Sequence, residues 1–115
     1  MQFIGPKLSS DENADYYGGF EDREKNIYKV YDYVLFKDKD TCLNYVGKIH
    51  SPFYDKNQNT ALCEIQLFLE TPLKERTCLD YKELYCTDTF VEIPIEKVLR
   101  SVKCLYIPKN INNIK

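Results

Sequence analysis

The clearest periodicity in the chain runs over residues 61–70, where Ala61, Cys63, Ile65, Leu67 and Leu69 alternate with Leu62, Glu64, Gln66, Phe68 and Glu70. A period of two predicts a strand with one face in a core and the other largely wet. The run YKVYDYVLF at 28–36 is dense in β-branched and aromatic residues, and as a regular strand it sets Tyr28, Val30, Val34 and Phe36 on one side. Asp32 then falls on the apolar face. A buried unpaired carboxylate is expensive, so either a bulge turns Asp32 outward or local backbone amides donate to it. The run YVGKI at 45–49 predicts a further strand, with Gly47 marking a bulge or a close backbone approach.

Later in the chain, Val91, Ile93 and Ile95 alternate around Pro94, which suits an edge strand or a strand-to-turn exit. A helical turn is expected over 95–99, with Pro94 as its first residue, and a last strand over 102–107. The polar stretches 37–40 and 55–59 predict turns, Pro72 ends the strand before it, a charged loop follows to Arg76, and 79–86 shows no clear period. Several short strands with hardly any helix describe a mainly β fold of compact twisted antiparallel sheets, or a partly open barrel, with short helical turns.

The polar run 1–15 has little to bury and is expected to be a flexible arm. The aromatics around Gly18 and Gly19 suggest a strap across the core at 16–20, followed by an acidic linker at 21–26. The folded domain is expected over 16–108, with a flexible tail at 109–115.

Composition refines this picture. A length of 115 residues suits one domain, and 43% hydrophobic with 30% charged residues is ordinary for a globular chain. The net charge of −2 is uneven: residues 1–26 carry six acids and three bases, which leaves the rest near neutral. Beyond Glu96 the only charges are Lys97, Arg100, Lys103, Lys109 and Lys115. That basic end makes direct nucleic-acid binding the alternative reading, although it lacks the dense basic face of a dedicated DNA-binding domain. Five cysteines, an odd number, never stand in a C-x-x-C pair, so they read as reduced thiols of a cytoplasmic or nuclear protein and not as disulfides or a zinc knuckle. No apolar run reaches the ~18 residues of a membrane span, and no metal, cofactor or membrane partner is expected. His50, the single histidine, has no companions at ligand spacing. No glycine-rich phosphate loop or acid–base pair is visible, so no enzymatic activity is expected.

The order of these pieces resembles the bromo-adjacent homology (BAH) domain, a β-rich chromatin module, over about 17–108. An aromatic strap leads into a Y-x-x-x-D-x-V strand, matched by Tyr28, Asp32 and Val34, and then into Y-[VI]-[GA]-[KR]-[IV], matched by Tyr45, Val46, Gly47, Lys48 and Ile49. The family strand V-x-W-[FY]-x-R-P is met by Ile65, Gln66, Leu67, Phe68, Leu69 and Glu70. The E-L-F-x-S-x-H-x-D segment is met by residues 83–91, and the closing V-P-x-x-x-I-x-x-K-C-x-V by Ile93, Pro94, Val98, Lys103 and Cys104, two residues longer between the last two blocks.

The resemblance implies a nuclear, chromatin-associated interaction module that docks on a histone tail, a nucleosome or a partner protein in a silencing, transcription-regulation or replication complex. Family members that read methyl-lysine do so with an aromatic cage, through cation–π attraction. Here Tyr45 keeps one wall. The other two become Leu67 and Leu69 by one alignment, or Gln66 and Phe68 after a one-residue slip, and neither completes the cage. Glu70 replaces the family Arg and Thr89 the family His. Tyr45, Leu67, Phe68, Leu69, Glu70, Asp88 and Thr89 are the candidate partner-contacting residues.

Overall fold

The computed structural model describes residues 2–70 and 84–103. Its strands, numbered in chain order, are β1 (Gln2–Phe3), β2 (Ser9–Ser10), β3 (Ala14–Tyr16), β4 (Gly19–Glu21), β5 (Ile27–Lys29), β6 (Tyr33–Lys37), β7 (Asn44–Asp55), β8 (Thr60–Glu70), β9 (Leu84–Pro94) and β10 (Val98–Ser101). All pairings are antiparallel. A small sheet has the order β1-β4-β5, and a larger one is organised on β7. One edge of β7 pairs first with β6 and then, past residue 52, with β3. Its other edge pairs with β8 along nearly its whole length, and β8 carries β9 beyond it. The fold is mainly β, as expected, and the sheets of the described residues do not close into a barrel.

Local side-chain chemistry explains where the strands turn. Asp38 Oδ2 accepts the Thr41 and Asp40 amides at 2.9 and 3.1 Å between β6 and β7, and Cys42 there takes a positive φ of 61°. The bond from the Thr41 amide holds the Asp38 carboxyl below the usual range against a smaller opposing effect of burial. In the β7–β8 hairpin, Asp55 Oδ1 accepts the Asn57 and Gln58 amides at 2.8 and 3.1 Å. Such Asx turns are the reason Asp and Asn crowd at these positions.

The expected continuous strand at 28–36 is broken into β5 and β6. Tyr31 adopts φ 77°, and Asp32 Oδ2 accepts the Lys29 amide at 2.9 Å. Of the two routes open to Asp32, hydrogen bonding to a local backbone amide is the one taken. The 3-10 turn spans Ile95–Lys97, shorter than expected, with Pro94 just ahead of it. The last described strand lies at Val98–Ser101, earlier than the expected 102–107. Residues 104–107, the loop at 71–76, most of 79–86 and the tail at 109–115 fall outside the described residues.

Residues 2–15 do not hang from the fold as an arm. Phe3 stacks on Tyr17 with ring centroids 4.3 Å apart, and Gln2 and Phe3 pair with Glu21 and Phe20. The polar residues of this segment satisfy one another: Asp11 Oδ1 accepts the Asn13 and Ala14 amides, and Lys56 Nζ donates to Ser10 Oγ and to the Asp11 carbonyl. Asp15 lies 3.4 Å from Lys7 and 3.2 Å from Lys56.

The main core joins Phe20 and Tyr28 of the small sheet to Val34, Phe36, Ile49, Cys63, Ile65 and Ile93 of the large one, with Ile95 and Val98 closing one side. A second, smaller cluster of Ala14, Phe53 and Leu62, with Tyr16 packed against it, sits on the opposite face. Leu62, expected on the wet face, is buried in this second cluster, where it faces Phe53 of β7, which in turn faces Tyr16 of β3.

Tyr28 is fully buried and its hydroxyl donates to Asp22 Oδ2 at 3.2 Å. Burial first, and then the Asp22 charge, push its phenol up to about 12. An unfolded tyrosine ionises near ~10. The neutral ring therefore contributes stability that is complete below about pH 10 and is lost as pH rises toward the folded value. Cys63, pushed up to about 12 by burial and then by the Glu64 charge, adds to the same alkaline limb from ~8.5 upward. Stability measured by denaturant titration should thus decline through this window, and Tyr28→Phe should flatten its upper part. An identical decline in that variant would refute the assignment.

Candidate protein-docking site

Strand register decides which candidate residues share a surface, because facing residues in a ladder point the same way and neighbours along a strand point oppositely. Phe36 faces Tyr45, and Gly47 faces Val34 on one side and Leu67 on the other, all toward the core. Leu35, Val46 and Phe68 form a row on the outer face. Tyr33, Lys48, Gln66 and Phe90 form the next row, and Glu64 and Glu92 the one after.

Part of this outer face is covered by the small cluster around Phe53 and Leu62. Among the described residues nothing covers the part around Leu35, Val46 and Phe68, which forms a depression of about 280 Å³. Tyr45, Leu69 and Leu84 also border it, with Asn44 and Glu70 as its polar members. Phe68 meets the ring of Tyr33 edge-on at 5.6 Å, and Lys48 Nζ lies 5.8 and 5.9 Å from the ring centroids of Tyr31 and Tyr33. Tyr31 and Phe90 are among the large apolar side chains left exposed.

Tyr45, Phe68, Leu69 and Glu70 all border the depression. They do not point the same way: Tyr45 packs against the main core as Leu67 does, Leu69 has the parity of Leu67, and Phe68 and Glu70 have the outer parity. The register thus sets Tyr45 with Leu67 and Leu69, the alignment without the slip, and Phe68 is the ring on the outer face. Asp88 and Thr89 are exposed and lie outside the lining of the depression. They belong to a bulge in β9, where Gln66 Nε2 donates to the Thr87 carbonyl at 2.9 Å and Thr87 Oγ1 donates to the Leu67 carbonyl at 2.7 Å. Tyr33, Leu35, Val46 and Lys48 were not among the expected residues. For Tyr33 and Leu35 the signal was present in YVLF at 33–36, where apolar residues occupy both faces of a strand.

Farther along the same face, His50 Nδ1 lies 2.7 Å from Glu64 Oε1, and the His50 ring meets Phe90 edge-on at 5.1 Å. These groups stand beside a hollow of about 240 Å³ lined by Tyr16, His50, Ser51, Phe53, Glu64 and Glu92. Among the described residues, no group of three His, Cys, Asp or Glu side chains is arranged to hold a metal ion. What the face offers is a largely apolar recess with polar edges.

Fold and face together define a small antiparallel β module with an open, aromatic-bearing sheet surface. No protein-family model matches the chain, and no curated protein matches it in sequence.

Proposed function

We propose that this protein is a non-catalytic, chromatin-associated interaction module, and that it docks a histone tail or a segment of a chromatin-complex protein against the outer sheet face. The observation that carries this reading is the open depression bordered by Tyr45, Val46, Phe68 and Leu69, with Glu70 at its edge. Exposed apolar surface of this kind marks interaction sites. The chromatin setting is supported by the order and spacing of the BAH-like motifs. Because Phe68 presents its ring on the outer face while Tyr45 borders the recess with its ring packed against the core, the reading favours docking through apolar contact over obligate methyl-lysine readout.

The test is a fluorescence-anisotropy titration of the full chain with unmodified and lysine-methylated histone-tail peptides. Binding that weakens about tenfold or more in Phe68→Ala is the expected result, as for an interface anchor, with little dependence on methylation. Binding that requires methylation would overturn the docking version, and the absence of binding to any tail would overturn the histone version. Binding to nucleic acid with steep salt dependence would favour phosphate contact instead.

A further inference from the structure

The outer face carries an electrostatic feature that its own folding does not need. In the β8–β9 ladder Glu64 stands directly opposite Glu92. It is the only directly opposed pair of like charges in the strand register of the described residues. Such pairs are destabilising. His50 Nδ1 lies 2.7 Å from Glu64 Oε1 on the β7 side, and the lysine–carboxylate pairs of the described residues, Lys7–Asp15 and Lys56–Asp15, leave Glu92 without a cation. Lys48, the lysine in the adjoining row of this face, reaches toward Tyr31 and Tyr33 on the β6 side. The β8–β9 side of the face is thus acidic, with the exposed ring of Phe90 beside it and the hollow at Tyr16 and Phe53 next to both carboxylates.

The spacing ties this acidic pair to the apolar recess. Glu64 and Phe68 lie on the same face of β8, four positions apart, which is about 13 Å at roughly 3.3 Å per residue. An extended peptide lying along β8 has the same rise, and its own residues at a separation of four also point to one side. We propose that the docked segment is an extended peptide that sets a Lys or Arg side chain between Glu64 and Glu92 while an apolar side chain four residues away fills the recess at Val46 and Phe68. This rests on the docking reading above and specifies the partner: an apolar anchor and a basic residue separated by three others. The carboxylates supply charge complementarity and register, and the recess supplies the apolar contact.

A peptide-display selection against the full chain tests this, followed by anisotropy titration of the enriched peptides on wild type, Phe68→Ala and the double variant Glu64→Gln/Glu92→Lys. Enrichment of an apolar residue with Lys or Arg four positions away is expected. Those peptides should bind the double variant about tenfold more weakly, and exchanging their basic residue for Glu should restore part of the loss. Moving the basic residue by one position, which turns it to the other side of an extended peptide, should weaken binding to wild type. Circular dichroism of the double variant guards against a folding defect, which is not expected since the substitution removes a repulsive pair. Peptides that lose binding in Phe68→Ala yet are indifferent to the double variant overturn this inference and leave the docking site standing. Failure of any peptide to be enriched, or enrichment that ignores Phe68, overturns both.

Discussion

Alanine at position 47 should lower the melting temperature by about 10–20 °C, the consequence of roughly 2–3 kcal/mol of lost stability in a domain of this size. Gly47 lies in β7 where β6 and β8 flank it, opposite Val34 and Leu67. A Cβ there would point into the main core and meet Ile65 Cγ2, the Gln66 carbonyl oxygen at 2.9 Å and Phe36 Cε1 at 2.9 Å. Ile65 and Phe36 are fully buried, and the Gln66 oxygen belongs to the neighbouring strand's backbone. None of the three can recede without disturbing the ladder. Inserting a methyl into a packed core typically costs about 1–3 kcal/mol, and a site with a backbone atom in the way belongs at the upper end. The entropic gain from removing a glycine, about 0.4–1 kcal/mol, offsets only part of this. Thermal denaturation followed by circular dichroism measures the effect, and a melting point at or above that of the parent protein would show that the sheet has room the geometry does not give it.

The glycine was legible in the sequence as a place of close backbone approach, because a residue without a side chain inside YVGKI needs a reason to be there. The alternation at 61–70 was legible too, but only for one face. Leu62 is buried in the cluster that β3 and β7 share, whose pairing joins residues some forty positions apart, and no local pattern reports that. For the same reason residues 2–15 looked like an arm. Their polar groups are satisfied by one another and by Lys56, a lysine in the distant β7–β8 turn, and polarity read locally does not distinguish a satisfied turn from a solvated one. At the candidate site the difficulty was parity. Leu67 and Phe68 are adjacent in sequence and opposite in space, so a one-residue slip in alignment exchanges a core residue for a surface one. Once Val46 is seen to face Phe68 in the ladder, register sets Tyr45 with Leu67 and Leu69 on the core side and Phe68 on the outer face, which also includes Leu35 and Tyr33, residues no single motif singled out. Asp32 shows the reverse case. The constraint that a carboxylate must be satisfied was enough to anticipate its bond to a local amide.

Phe36→Ala should be the more damaging of two phenylalanine truncations, destabilising the protein by roughly 3–5 kcal/mol, while Phe68→Ala should leave it folded and remove binding. The two residues lie on opposite faces of one sheet. Phe36 is fully buried among the strands and the 3-10 turn, faces Val98 in β10 and Tyr45 in β7, and lies with its ring centroid 6.1 Å from that of Tyr45. Its loss opens a cavity between elements whose positions depend on it, and the surrounding side chains collapse only partly. Because the whole domain is held by only about 5–15 kcal/mol, such a loss is a large share of the total and should broaden or abolish the unfolding transition at physiological temperature. Phe68 is half-buried, bordered by Tyr33 and by the recess itself. Truncating it deepens an open surface and leaves no sealed void, so a smaller change of about 1 kcal/mol is expected. The decisive comparison is between unfolding midpoint and peptide affinity for both variants. If the outer face is the docking surface, Phe68→Ala separates the two quantities, with affinity lost and the midpoint nearly kept. Should Phe68→Ala instead lower both together, as Phe36→Ala does, the residue belongs to the core's architecture and the docking surface lies elsewhere.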